Sequence, residues 1–333
     1  MALQRDLEVA ISEFAPSSEL VANKLVWRSY GLKRVAEREW ERWWYAYCPV
    51  HHGFVRQPWT GYEQRPRFSR CCNRMSQPRL YISPRFGFVT SRTDKPAMPR
   101  GRPVRIFSTR PYFLGFADST STSRLIDRRA CTVTPVSPGH MVVLAEGRSQ
   151  RGFYICPQCG FGTRGIDSRP RNHRTPLGLP CRSHVEIAAL GHDFVTDVLG
   201  IKFHLEPADG TDREAVALSV AFALVDGAAD VLEVPSSDLS TAIAYGADAT
   251  GIKPIVLFDR VPGGAGLVSR LQDLDVLGEA VGAAVLRVEG ACGCDRDTSC
   301  YGCLRNFRNQ FAHDRLQRGL AFDYLSRVLE VWG

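Results

Sequence analysis

The chain has 333 residues, 44% of them hydrophobic and 23% charged, with a formal net charge of +7. That length leaves room for two domains and a sizeable core. The apolar run Ala215 to Val225 stops at Asp226 after eleven residues, too few to cross a bilayer, so no membrane association is expected. Eleven cysteines follow an N-terminus, Met1-Ala-Leu-Gln-Arg-Asp6, that does not resemble a secretion signal. This combination predicts metal ligation in a reducing cytoplasm rather than a disulfide framework.

The charge is unevenly divided. Residues 1–190 hold 30 Lys and Arg against 14 Asp and Glu, whereas residues 191–333 hold 12 against 21. Within residues 51–110 the ratio is 13 to 2, interleaved with Trp59, Tyr62, Phe68, Tyr81, Phe86, Phe88 and Phe107. Guanidinium groups grip phosphate bidentately and aromatic faces stack on bases. The segment is therefore expected to face DNA, with Arg65, Arg67, Arg70, Arg74 and Arg79 as candidate contacts. The alternatives are a solvated arginine-rich loop or a face that docks on an acidic partner, which the second half of the chain could itself supply.

In chain order, residues 7–35 read as short strands joined by turns, broken at Pro16-Ser17-Ser18. Trp40, Trp43, Trp44, Tyr45 and Tyr47 predict a strand with aromatics on both faces, part of the core. Cys48-Pro-Val-His51-His52 and, further on, Cys71-Cys72 resemble the two halves of a zinc ribbon that has lost regularity, and since vicinal cysteines do not easily ligate one ion, a vestigial site held by aromatic packing is the alternative to zinc. Prolines and arginines from Pro84 to Arg110 argue for loops or edge strands, and residues 118–139 for a turn-filled connector.

Phe153-Tyr154-Ile155 is a strand entering the knuckle Cys156-Pro-Gln-Cys159-Gly160. Cys181 belongs to its closing half, with His173 and His184 competing as fourth ligand; spacing alone prefers His184, because Cys181-x-x-His184 mirrors the first pair. Cys131 has no partner spacing and reads as core. From Leu190 the texture changes: residues 191–199 lead into a strand (201–205), followed by a buried helix (Glu214–Val234, despite Gly227), strands (239–245 and 255–258), a glycine turn, and helices at 267–271 and 277–288. The expected fold is α+β: a β-rich, zinc-ribbon-like region over residues 1–189 and a mixed α/β domain over residues 190–333.

The sharpest candidates for chemistry lie in this second region. Asp259 precedes Pro262-Gly263-Gly264-Ala265-Gly266 between a strand and a helix. Amides of Gly263, Gly264 and Gly266 could hold a phosphate, and Asp259 a metal, in a metal-dependent phosphodiesterase or nuclease. The plainer reading is a tight turn that needs glycine. No Gly-x-x-x-x-Gly-Lys-Ser/Thr, Asp-Glu-x-His, His-Glu-x-x-His or Gly-x-Ser-x-Gly occurs, and no catalytic residue is assigned. Finally, Cys292-Gly-Cys294 and Cys300-Tyr-Gly-Cys303 place four thiols within twelve residues, enough for one tetrahedral Zn2+ with no open position. Leu304, Phe307, Phe311, Leu320, Leu325, Val328 and Trp332 then predict a long amphipathic terminal helix anchored by that cage.

Cys294, Ser299-Cys300-Tyr301-Gly302-Cys303-Leu304-Arg305, Asn309-Gln310, His313, Leu316, Arg318 and Ala321 resemble the signature of the MrfA zinc-binding (MZB) domain family. Val256 to Gly266 is similar to the strand and glycine turn upstream of that signature. Such domains end superfamily 2 DNA helicases of the mitomycin-repair type and occur in DrmB-like proteins of the DISARM phage-defence system. The resemblance implies zinc at Cys292, Cys294, Cys300 and Cys303, and it prefers His173 over His184 beside Cys156, Cys159 and Cys181. Because the ATPase motifs of those helicases are missing from this sequence, the expected function is a non-catalytic accessory module that binds DNA and works with a separately encoded superfamily 2 motor, the product of a split or truncated gene.

Overall fold

The computed structural model describes residues 4–61, 65–91, 93, 95–99, 101, 108–117, 125–246 and 251–332. The chain opens with helix α1 (Leu7–Glu13), then strands β1 (Glu19–Ala22), β2 (Leu25–Leu32), β3 (Glu41–Tyr47), β4 (Phe54–Pro58), β5 (Arg79–Ser83), β6 (Phe88–Thr90), β7 (Arg110–Phe116), β8 (Ile126–Asp127) and β9 (Cys131–Ala145). The ribbon strands β10 (Phe153–Ile155), β11 (Gly162–Arg164), β12 (His173–Arg174) and β13 (Pro180–Cys181) precede the long β14 (Glu186–Phe203). Helix α2 (Arg213–Leu232), β15 (Leu239–Ile243), β16 (Ile255–Asp259), α3 (Leu274–Val288) and α4 (Arg318–Glu330) complete the chain. The β-rich first part and the mixed second part are as expected from the sequence.

Strand β14 is the spine of an 11-stranded sheet. Its first residues pair with β10, Ala189 and Leu190 pair in parallel with β5, its length from Leu190 to Phe203 pairs with β9, and Val198 to Ile201 pair with β16. The change of composition at residues 189/190 thus falls inside a strand, not in a linker. β16 is buried on both faces, which explains its unbroken apolar run. Ile255 and Leu257 join the core under the helices, while Val256 and Phe258 join a second core with Ile11 of α1, Leu32, Trp44, Leu80, Ile82 and Met141.

Helix α2 starts where the Asp212 carboxylate accepts the amides of Glu214 and Ala215. It is long and apolar enough to cross a membrane by composition alone, yet 83% of its most apolar window is buried inside the protein. A helix apolar all round belongs in a core, and α3, α4 and the sheet cover this one. Gly227 permits the closest approach. A Cβ there would lie 2.3 Å from the Ala280 carbonyl oxygen and 2.6 Å from the Ala284 nitrogen.

Four expectations change. Leu7–Ile11 is helical, its buried Ala10 and Ile11 lying on one side of α1. Part of the supposed connector at 118–139 is strand, since β9 begins at Cys131; residues 118–124 lie outside the described residues. The helix expected at 267–271 is a short 3-10 segment, Val268–Gln272. The terminal helix begins at Arg318, not near Leu304. Leu304, Ala312 and Leu316 are buried, so the apolar spacing comes from an irregular chain that dips repeatedly into the same core. Asn309 staples that segment: its Nδ2 donates to the Leu304 carbonyl (2.8 Å), its Oδ1 accepts the Asn306 amide (2.8 Å), and His313 Nε2 lies 2.9 Å from the same oxygen.

Because Gly227 has no room for a side chain, Gly227→Val should overpack the α2–α3 contact and destabilise the protein by about 1–3 kcal/mol, measured by urea unfolding. An unchanged midpoint would show that the helices can separate freely.

Candidate metal centres and a basic groove

Between α3 and α4 the chain coils so that the Sγ atoms of Cys292, Cys294, Cys300 and Cys303 all lie within 4.8 Å of one another. Separations of 3.5 Å (Cys292–Cys294), 3.8 Å (Cys294–Cys303) and 3.9 Å (Cys300–Cys303) approach the roughly 3.8 Å between thiolates that share a zinc at about 2.3 Å. Backbone amides of Cys300 and Gly302 donate to the sulfurs of Cys303 and Cys300 at 3.2 and 3.3 Å. The amide of Cys294 favours the Cys292 thiolate and pulls its pKa down to about 7. Donor chemistry and spacing fit Zn2+, which these four residues would hold as a closed structural crosslink.

The loop carrying these thiols also starts α4. Carbonyls of Thr298 and Arg296 accept the amides of Arg318 and Gly319, each at 2.9 Å, satisfying donors that a helix N-terminus otherwise leaves open. The buried Arg318 guanidinium donates to the carbonyls of Cys294 (2.8 Å), Glu289 (3.2 Å) and Val288 (3.4 Å). The cage loop, the end of α3 and the start of α4 are thereby one unit.

A second cluster forms from two hairpins. β10 and β11 flank the Cys156–Cys159 knuckle, and β12 pairs with β13 in a register that sets His173 opposite Cys181. The four ligand atoms of Cys156, Cys159, His173 and Cys181 again lie within 4.8 Å. Both ring nitrogens of His173 are buried without a hydrogen-bond partner, and the ring stacks on Phe161 at 4.6 Å. A metal would satisfy one of those nitrogens. His184, the ligand that spacing alone preferred, is exposed and outside the cluster. The side chain of Cys159 favours the Cys156 thiolate and draws its pKa down to about 4. A third group, Cys48, His51, Cys71 and Cys72, converges beyond the end of β3.

The glycine turn does not offer the expected phosphate site. Asp259 is fully buried, and its carboxylate accepts the amides of Ala265 (2.8 Å), Leu267 (3.0 Å) and Val268 (3.0 Å). Asp197 accepts that of Gly266, while the amides of Gly263 and Gly264 donate to the carbonyls of Val195 and Val261. The protein's own carboxylates occupy the anion position, so Gly263, Gly264 and Gly266 have no donor left for phosphate. Asp259, enclosed and fully hydrogen-bonded, has no access to a substrate or a hydrated metal.

The arginine candidates separate. Arg65 and Arg79 line a groove of about 600 Å³ with Arg151, Arg169 and His184, floored by Trp44, Leu80 and Ile187. Arg67, Arg70 and Arg74 are exposed on the loop before β5. Arg151 and Arg169 were not singled out from the sequence; only strand pairing through β14 brings them beside Arg65. The interleaved aromatics mostly serve the fold: Tyr81 is buried, and Arg42 sits 4.8 Å above Trp59. Tyr62 and Phe107 lie outside the described residues.

Residues 220–304 match the family model of the MrfA Zn-binding domain, a stretch running from within α2 to just past Cys303. This stretch is similar to the MZB domain. The MZB domain is a zinc-binding domain, and the matched stretch contains all four cysteines of the C-terminal cage. Over 210 residues the chain is 29% identical to the Druantia protein DruE of Escherichia coli (strain UMEA 4076-1), covering 55% of this chain and 11% of that protein. Crystal structures of the DUF1998 helicase MrfA bound to DNA, without and with AMPPNP, are 12% and 14% identical, with TM-scores of 0.36 and 0.27. They cover 68% and 69% of this chain, which spans 25% and 23% of theirs.

Cys303→Ser should remove one zinc equivalent and release α4, lowering the far-UV helical signal and the melting temperature. Full zinc content with an unchanged melt would contradict the ligand assignment. Asp259→Ala leaves the buried amide of Val268 and the part-buried amides of Ala265 and Leu267 without an acceptor and should cost about 2–3 kcal/mol of stability, read by denaturant titration.

Proposed function

We propose that this chain is a zinc-organised, non-catalytic DNA-binding module that works with a separately encoded superfamily 2 helicase motor in DNA repair or phage defence. The observation that carries the reading is the basic groove: four exposed arginines, Arg65, Arg79, Arg151 and Arg169, around an apolar and aromatic floor. Such a lining suits a single strand, with phosphates along the rim and bases toward the floor. The MZB match and the DNA-bound helicase among the similar structures are consistent with a nucleic-acid partner. Zinc would act at a distance from the strand, holding α4 and the ribbon in place. Ten of the eleven cysteines, clustered as candidate metal ligands with no disulfide among them, support a reducing cytoplasmic setting.

Fluorescence anisotropy with labelled single- and double-stranded DNA tests the reading. Affinity should fall with salt, with a log–log slope of about −0.7 per phosphate neutralised on a single strand. Replacing Arg65 and Arg151 together by Ala should weaken binding and make that slope shallower by about 0.7 for each phosphate no longer neutralised. Negligible binding at low salt, or binding indifferent to those substitutions, would remove the proposal.

A further inference from the structure

Between the end of β4 at Pro58 and the start of β5 at Arg79, the described residues form neither helix nor strand, and they carry Arg65, Arg67, Arg70 and Arg74. A loop of this length inside a packed domain needs something to hold it. Part of the answer is apolar: Met75 is buried with Ala46 and Cys48, and Phe68 and Val55 pack on them. Part is backbone: the Ser76 amide donates to the Tyr47 carbonyl (2.9 Å), and the Tyr47 amide donates to Ser76 Oγ (3.0 Å).

The remainder is a set of metal donors. Cys48, fully buried, follows β3 directly, and the next turn brings His51 Nδ1 to 3.5 Å from its sulfur. The His51 amide donates to that sulfur at 3.4 Å, as the Cys159 amide does to Cys156 at 3.4 Å in the ribbon knuckle. The loop returns with Cys72 Sγ at 3.5 Å from Cys48 Sγ. Residues 71–75 are bent rather than extended, so the vicinal side chains of Cys71 and Cys72 do not diverge as they would in a strand. All four ligand atoms fall within 4.8 Å of one another.

We propose that Cys48, His51, Cys71 and Cys72 bind a further zinc ion that ties the arginine loop to the β3–β4 hairpin. Three thiolates and an imidazole suit tetrahedral zinc and leave no open position, so the site is structural. A disulfide would use two of the three sulfurs and leave the imidazole without a role. Because the ion closes the loop near its far end, it fixes the path of the four arginines. Its effect on DNA affinity rests on the reading given under Proposed function; the metal site itself does not.

Zinc per chain, measured by mass spectrometry on the intact 333-residue chain purified under reducing conditions, tests the site. Cys71→Ser removes an exposed ligand while sparing the packed Cys48, and should lower the content by one equivalent relative to the wild type. His51→Cys, which supplies another thiolate, and Cys131→Ser, which alters a cysteine outside every cluster, should both leave it unchanged. Trypsin should cut the loop faster in Cys71→Ser than in the wild type. An unchanged zinc content in both Cys71→Ser and Cys72→Ser, or thiol titration revealing a disulfide among these cysteines, would overturn the proposal. Loss of one equivalent without a change in DNA affinity would leave the metal site standing and count against the DNA reading.

Discussion

The C-terminal half depends on one arrangement: carbonyls of the four-cysteine loop accept the first amides of α4, and Arg318 fastens that junction to the end of α3. A helix of thirteen residues is marginal alone in water. Here its start is supplied by a loop that has no regular structure of its own, and that loop takes its shape from the sulfurs it gathers. α4 in turn covers α2 and α3, and Tyr324 donates to the Leu205 carbonyl just beyond β14. Sulfur, helix end and sheet are thus coupled in sequence, and a change at the metal is felt in the hydrophobic core.

The same logic recurs in the first half with different parts. Short strands of two or three residues cannot persist by pairing alone, yet β10 to β13 are that short. Donors at their tips give them a common point, and the ribbon then rests on the body of the protein where the Leu32 amide donates to the Gly160 carbonyl. A side chain at Gly31 would meet that carbonyl at 2.1 Å, so the docking surface tolerates no Cβ.

Much of this was legible from residues close together in sequence. Four cysteines within one short stretch announce a cage, because their spacing already limits where the sulfurs can go. The long apolar stretch of α2 announces a buried helix, and Gly227 within it is explained by the neighbour it touches. Features that depend on distant partners were not legible. Spacing alone favoured His184 beside Cys181, and the β12–β13 register sets His173 there instead. Leu304 to Leu316 imitates a helical period because a winding chain can bury residues at similar intervals. The amides of the glycine turn looked available until the fold turned Asp259 and Asp197 into their acceptors. The basic groove likewise needed Arg151 and Arg169, which come from segments remote from Arg65.

The position of β14 has a practical side. Composition suggests a seam at residues 189/190, and a gene divided there would look like two tidy domains. The cut would instead sever one strand in its first few residues, separating β9 and β5 from the partner they share. Each fragment would display a row of unpaired peptide groups flanked by apolar side chains, the kind of edge that recruits other molecules into aggregates. Synthesis faces the same geometry, because the early strands must wait for the middle of the chain before their sheet can close.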